Sequence, residues 1–262
     1  MSRHLVQFST GAGSAEVAFR VAERNDPADV VLITADTLVE DDDNWRFARD
    51  VVHALPDGVQ WVRLTDGRTP MQVGRDQRVV PNNRMAVCSR VLKRDLIRAH
   101  MDANYDPEES VVYLGFDWTE EHRMAASAGP WAPWTVAAPL MDPPYRTKAQ
   151  ILDGLRARGI EPPRLYAAGF SHANCGGGCV RGGQAQWELL LRRLPDRYRE
   201  WETEEEATRA LLGKDVSILR DRRGGTAVPL PLRSFRERLE AQPSLFDNED
   251  WGACGCGMEA AS

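Results

Sequence analysis

Apolar positions follow two rhythms along the chain. Three short runs are nearly continuous, residues 5–8, 30–34 and 111–114, and residues 59–64 alternate like a further strand. Runs of this length, rich in Val, Ile and Leu, predict buried strands. Between them the apolar positions recur at helical spacing. Val17, Ala18 and Val21 do so after the first run; Trp45, Phe47, Ala48, Val51 and Val52 do so over residues 44–54; residues 89–103 repeat the pattern. Strands alternating with helices predict an α/β fold, a doubly wound and mainly parallel sheet with helices on both faces. Residues 65–84 read as a long polar loop, residues 129–144 as an irregular crossing rich in Pro and Trp, and residues 148–158 as a helix. Past residue 184 the character changes to two helices (184–193, 203–212), a hairpin-like pair (216–220, 226–230) joined through Gly224-Gly225, and a short helix (234–241). The expected organisation is a nucleotide-binding domain over residues 1–183 and a small helical and hairpin appendage over residues 184–262 that ends in a Cys-Gly-Cys tail.

The first strand runs into Ser9-Thr10-Gly11-Ala12-Gly13-Ser14 and then into a helix. Glycines let backbone approach an anion closely, and the first N–H groups of a helix have no partner inside it. Strand, small hydroxylic turn and helix together make a phosphate cradle. An ordinary turn of small residues satisfies the same pattern. The triphosphatase loop is excluded because no Gly-Lys-Ser/Thr is present, and the dinucleotide fingerprint is excluded because position 16 is Glu. The second run ends in Ala35-Asp36-Thr37. Ligands of open α/β sheets sit beyond the carboxyl ends of the strands, so Asp36 is placed with the loop, as a ligand contact or a helix cap. The following Glu40-Asp41-Asp42-Asp43 reads as a solvated first helical turn.

Composition narrows the partners. The chain has 262 residues and a net charge of −6, so no global field attracts nucleic acid or anionic lipid. No apolar run approaches the length of about 20 residues that a membrane span needs, and no secretory leader is visible. A cytoplasmic location is expected, with no membrane partner. Five cysteines in that setting point to metal, cluster or redox use. Cys175-Gly-Gly-Gly-Cys179 follows His172, Cys88 precedes Arg90 and Lys93, and Cys254-Gly-Cys256 stands near the end. Glycines between cysteines free both thiolates to face one point, as iron–sulfur ligation requires. A zinc site of His172, Cys175, Cys179 and a tail cysteine is the alternative.

Five ordered features carry a resemblance to the PP-loop ATP pyrophosphatases and PAPS reductases, the adenine nucleotide alpha hydrolase-like group. Ser9, Gly11 and Ser14 match the Ser-Gly-Gly-x-Asp-Ser loop signature; Thr10 replaces a Gly and Gly13 replaces the Asp. Ala35-Asp36-Thr37 is similar to the Ala-Asp-Thr that closes the second strand. Residues 115–123 resemble the Gly-Ile-Arg-x-x-Glu-Ser segment, with Glu120 and Arg123 retained in type and Asp117 in place of Arg. Pro163-Arg164-Leu165-Tyr166 resembles the segment that leads into the later cysteines. Assimilatory APS reductases hold a 4Fe-4S cluster through two cysteine pairs placed like Cys88 and Cys175/Cys179, although residue 87 is Val and the second pair is spaced by three.

The resemblance implies an adenine nucleotide, ATP or PAPS/APS, held with Mg by Ser9, Thr10, Gly11, Gly13, Ser14, Asp36, Glu120 and Arg123. It implies a 4Fe-4S cluster at Cys88, Cys175 and Cys179, and chemistry at Cys254 or Cys256. The activity it implies is ATP-dependent adenylation followed by sulfur insertion into an acceptor such as tRNA or DNA, with a sulfur donor. The alternatives are a thiol-reductant-dependent PAPS/APS reductase, and a non-catalytic nucleotide- or nucleic-acid-binding module with structural zinc. The Glu-Cys-Gly-Leu-His tail of the reductases is absent.

Overall fold

Leu5 and Val6 show how the sheet is built. Successive strand residues face opposite sides. Leu5 joins one apolar core with Val31, Ile33, Val112 and Leu114, while Val6 joins another with Phe8, Val30 and Leu32. A strand covered on both faces needs apolar residues at consecutive positions. In the computed structural model, which describes residues 2–241, β1 (Arg3–Gln7), β2 (Val30–Asp36), β3 (Gln60–Thr65), β4 (Ser110–Tyr113) and β5 (Thr135–Ala137) form one sheet in the order β3-β2-β1-β4-β5. Every neighbouring pair is parallel. A second, two-stranded antiparallel sheet pairs β6 (Leu219–Asp221) with β7 (Val228–Leu230).

The helices are α1 (Ala12–Ala22), α2 (Asp42–Ala54), α3 (Pro70–Asp76), α4 (Val87–Ser89), α5 (Leu96–Asn104), α6 (Glu121–Trp131), α7 (Lys148–Ala157), α8 (Arg164–Ala167), α9 (Gln184–Arg193), α10 (Pro195–Leu212) and α11 (Leu232–Ala241). Side chains of α1, α2 and α7 fill the core on Val6's side of the sheet. Ile97 and Met101 of α5 and Trp131 of α6 fill the core on Leu5's side. A π-helical stretch, Arg90–Asp95, joins α4 to α5. A third core unites Met71, Cys88 and Leu92 with Phe170, Trp187, Tyr198, Trp201 and Phe235, so residues on both sides of position 183 share it.

The four expected strands and the doubly wound α/β arrangement are present. Three elements differ from the sequence reading. β5 lies in the stretch read as an irregular crossing; three residues among prolines are too few to show a period. The polar loop over residues 65–84 contains α3, which opens on a Thr69 cap with Pro70 in its first turn. The helix expected over 203–212 starts at Pro195, where Pro suits a first turn. No helix among the described residues is long and apolar enough to cross a membrane.

Candidate nucleotide site

The strand order reverses between β1 and β4, and this is where an open α/β sheet leaves a crevice at its carboxyl edge. A crevice of about 200 Å³ lies there. It is bordered by residues following β1 (Ser9, Thr10, Gly11, Gly13, Ser14), residues following β4 (Gly115, Phe116, Glu120, Arg123), the end of β2 and residues 172–174.

The loop is tightly tied. The Ser9 hydroxyl reaches Ser14 Oγ at 3.3 Å, Ser14 Oγ donates to the Gly11 carbonyl at 2.9 Å, and the Gly11 N–H donates to Ser14 Oγ at 3.3 Å. The Ala12 N–H, first in α1, donates to the Tyr166 hydroxyl at 3.1 Å. The next N–H groups, of Gly13 and Ser14, stand in the first turn, where no carbonyl lies four residues back within the helix. A Cβ on Gly11 would come 3.3 Å from the Tyr166 hydroxyl. Thr10 is held at φ 57°, in the left-handed region, and is buried. Glycine adopts that backbone freely and a β-branched residue does not.

Four cationic side chains border the crevice: Lys93, Arg94, Arg123 and Lys148. The π-helical turn places Lys93 and Arg94 there while Leu92 stays in the core. Two carboxylates border it as well, and each is matched to a cation. Glu40 lies 3.6 Å from Lys93 Nζ, and Glu120 is ion-paired with Arg123. Arg123 also lies 4.6 Å above the Phe116 ring, and Lys148 lies 5.2 Å from the Tyr166 ring.

Several expected site residues occupy other roles. Asp36 is at the carboxyl edge, on the same side as Ser9, but its carboxylate does not border the crevice. It binds Arg63 at 2.5 Å and accepts from the Leu38 N–H at 2.8 Å. Arg63 in turn lies 3.8 Å over the ring of Trp45, which does border the crevice, so Asp36 is linked to the crevice lining through Arg63. Glu40 and Asp41, read as solvated, are nearly fully buried as side chains. Asp41 caps α2 and pairs with Arg164 at 2.8 Å. Glu40 accepts from the Cys175 N–H at 2.6 Å and from the Thr37 hydroxyl at 3.1 Å. Trp45 sits where the helical period marks core, Lys93 was legible only as a neighbour of Cys88, and no sequence signal marked Lys148.

Cys88, Cys175 and Cys179 converge on one small cavity of about 20 Å³, beside Trp201. Lys93 borders both this cavity and the crevice. The Cys175 thiol is hydrogen-bonded with Cys179, which together with burial raises its pKa well above the usual thiol value. Burial pushes the Cys88 thiol up to about 12. The three glycines between the pair are occupied by close packing: a Cβ on Gly176 would strike Arg197, one on Gly177 Phe170, and one on Gly178 Trp201. Their smallness seats the C-terminal helices. It does not free the thiolates.

A metal centre does not fit these residues. The cavity has room for about one water, far less than an iron–sulfur cubane. Among the described residues no group of three His, Cys, Asp or Glu side chains is placed to hold a metal ion. His172, expected beside the cysteines in a zinc set, borders the crevice instead and shares a hydrogen bond of 3.1 Å with Gln186. The Gln186 amide N–H₂ donates to the Gly177 carbonyl, so its oxygen accepts from His172 Nε2–H. Burial lowers the His172 pKa to about 4, which keeps the ring neutral. Cys254 and Cys256 lie outside the described residues.

No family model and no curated protein matches the chain. Among solved structures it is similar to phosphoadenylyl-sulfate (PAPS) reductase from Candida auris in a phosphate complex, at 13% identity and a TM-score of 0.45 over 64% of this chain and 78% of that one. It is also similar to NH3-dependent NAD synthetase from Campylobacter jejuni in complex with nitrate, at 16% identity and a TM-score of 0.41 over 81% of this chain and 86% of that one. Likenesses at these scores carry no argument about the site, whose reading rests on its own residues.

Proposed function

We propose that the chain is a PP-loop enzyme of the PAPS-reductase-like kind that binds an adenine nucleotide and acts on it in sulfur chemistry. One observation carries this reading. The Ser9–Ser14 turn and α1 meet Lys93, Arg94, Arg123 and Lys148 around a single crevice at the sheet's switch point. Backbone N–H groups at a helix start hold phosphate oxygens, and the surrounding cations offset their charge.

The reaction we favour is adenylation. An acceptor oxygen attacks the α-phosphorus of ATP, the bond to the β-phosphate oxygen breaks, and pyrophosphate leaves. Fixed cations stabilise the charge that develops on the leaving group. A sulfur nucleophile from a donor then displaces AMP from the acceptor. The second reading is reduction of APS or PAPS, in which a cysteine thiolate attacks the sulfur and AMP or its 3′-phosphate leaves. Gly13 favours it, because the loop carries no carboxylate where the pyrophosphatase signature has Asp. The buried thiols at Cys88, Cys175 and Cys179 suit neither nucleophile, so the attacking sulfur comes from elsewhere.

Calorimetric titration with ATP and with APS tests the shared core of both readings. At least one binds, pyrophosphate competes with it, and Gly11→Val, which drives a side chain against Tyr166, weakens binding by about 1 kcal/mol or more. Release of AMP and pyrophosphate from ATP supports adenylation, and release of sulfite from APS supports reduction. Failure of both nucleotides to bind contradicts the assignment.

A further inference from the structure

We infer that the crevice neutralises its nucleotide with side-chain cations alone and binds it without a divalent metal ion. The inference rests on the nucleotide reading above and goes beyond it. A magnesium ion at a phosphate site is usually held by one or two carboxylates together with the phosphates. The candidate carboxylates here are Glu40, Glu120 and Asp36, and each is committed elsewhere.

Glu40 is the most firmly held. Its two oxygens take the Cys175 N–H at 2.6 Å and the Thr37 hydroxyl at 3.1 Å, and Lys93 Nζ stands 3.6 Å away. Turning it toward a metal would strand a buried N–H group and an ammonium, and a buried donor left without a partner is costly. Glu120 is paired with Arg123 and also accepts from the Asp117 N–H at 3.3 Å. Asp36 is turned to Arg63 and does not border the crevice. The loop itself offers Gly13.

Charge gives the positive side of the same argument. Four cations border the crevice against two carboxylates. Lys148, and Arg94 although it also pairs with the half-exposed Asp95 at 3.3 Å, stand beyond the two matched pairs and bring a triphosphate charge of the sign that a metal would bring. Lys93 is mostly buried, with its ammonium fixed by Glu40, so it is a preorganised phosphate ligand. Lys148 is an exposed cation on the crevice border, and it lies over the Tyr166 ring.

The test is calorimetric titration of ATP into the full chain in buffer with EDTA and in buffer with excess Mg²⁺. We expect affinities that agree within about threefold, or tighter binding in EDTA, with Lys93→Gln and Lys148→Gln each weakening binding by about tenfold or more in EDTA. Lys148 is exposed, so its variant keeps the test alive if loss of Lys93 impairs folding. Binding that is tenfold or more tighter with Mg²⁺ overturns the inference, the more so if Glu120→Gln removes that advantage. If neither ATP nor APS binds in either buffer, the nucleotide reading fails, and inorganic pyrophosphate becomes the probe. Pyrophosphate bound in EDTA and weakened by Lys148→Gln sustains the cation site; no binding of pyrophosphate overturns it as well.

Discussion

Thr10 carries the clearest strain in the site. It occupies φ 57° where the loop signature it resembles has Gly. A left-handed non-glycine residue costs about 1–3 kcal/mol, and Gly in its place adds back about 0.5–1 kcal/mol of chain entropy. Thr10→Gly is therefore expected to leave the urea midpoint unchanged or raise it; a loss of about 2 kcal/mol would show that the buried Thr10 side chain outweighs the strain. Residue identity alone made the loop legible, since Ser9, Gly11 and Ser14 are the groups that tie the turn. It did not reveal where carboxylates point. Asp36 ends β2 and Glu40 follows it closely, yet one turns to Arg63 and the other turns inward to Cys175 and Lys93. Those choices depend on partners far along the chain, which no local pattern encodes.

At the scale of elements, the thiol-bearing turn and the C-terminal hairpin each make a prediction. The turn over residues 174–179 is packed under Arg197, Phe170 and Trp201, so its thiols are covered. Native protein treated with iodoacetamide at pH 8 and mapped by mass spectrometry should show Cys88, Cys175 and Cys179 unlabelled, with full labelling in denaturant; rapid native labelling of Cys175 would contradict that packing. Glu205 of α10 binds the hairpin region by accepting from the Ile218 N–H at 2.7 Å and the Leu232 N–H at 2.6 Å. Burial, opposed by those two hydrogen bonds, raises its pKa to about 7. The folded value lies above the unfolded one, so the native state holds this proton more tightly. The stability it contributes is complete below about pH 4.5 and is lost as pH rises through about 7, by up to about 3 kcal/mol. Denaturant unfolding at pH 5 and pH 8 should show that fall in wild type and a smaller one in Glu205→Gln. Equal pH dependence would contradict it. The helices at residues 184–193 and 148–157 were legible from their period, while β5 and the start of α10 were not, because short or polar elements are fixed by what they pack against.

At the scale of the whole molecule, a parallel sheet follows from apolar runs alternating with amphipathic helices, and its order, β3-β2-β1-β4-β5, fixes where a ligand can sit. The α/β pattern puts Cys88, Cys175 and Cys179 in segments at the ligand-binding edge, which implies sulfurs close to the nucleotide. The three described thiols do share one cavity, but a wall containing Lys93 and Glu40 separates it from the crevice. What lies on the ligand side is a ring of cations around a helix start. The most direct measurement is a backbone amide spectrum of isotope-labelled protein titrated with ATP. Phosphates seated in the loop should shift the Gly11, Gly13 and Ser14 N–H signals early and strongly, with smaller changes at Gly115 and little at Cys175 and Cys179. Shifts that leave residues 9–14 untouched while ATP binds would place the nucleotide elsewhere and contradict the account.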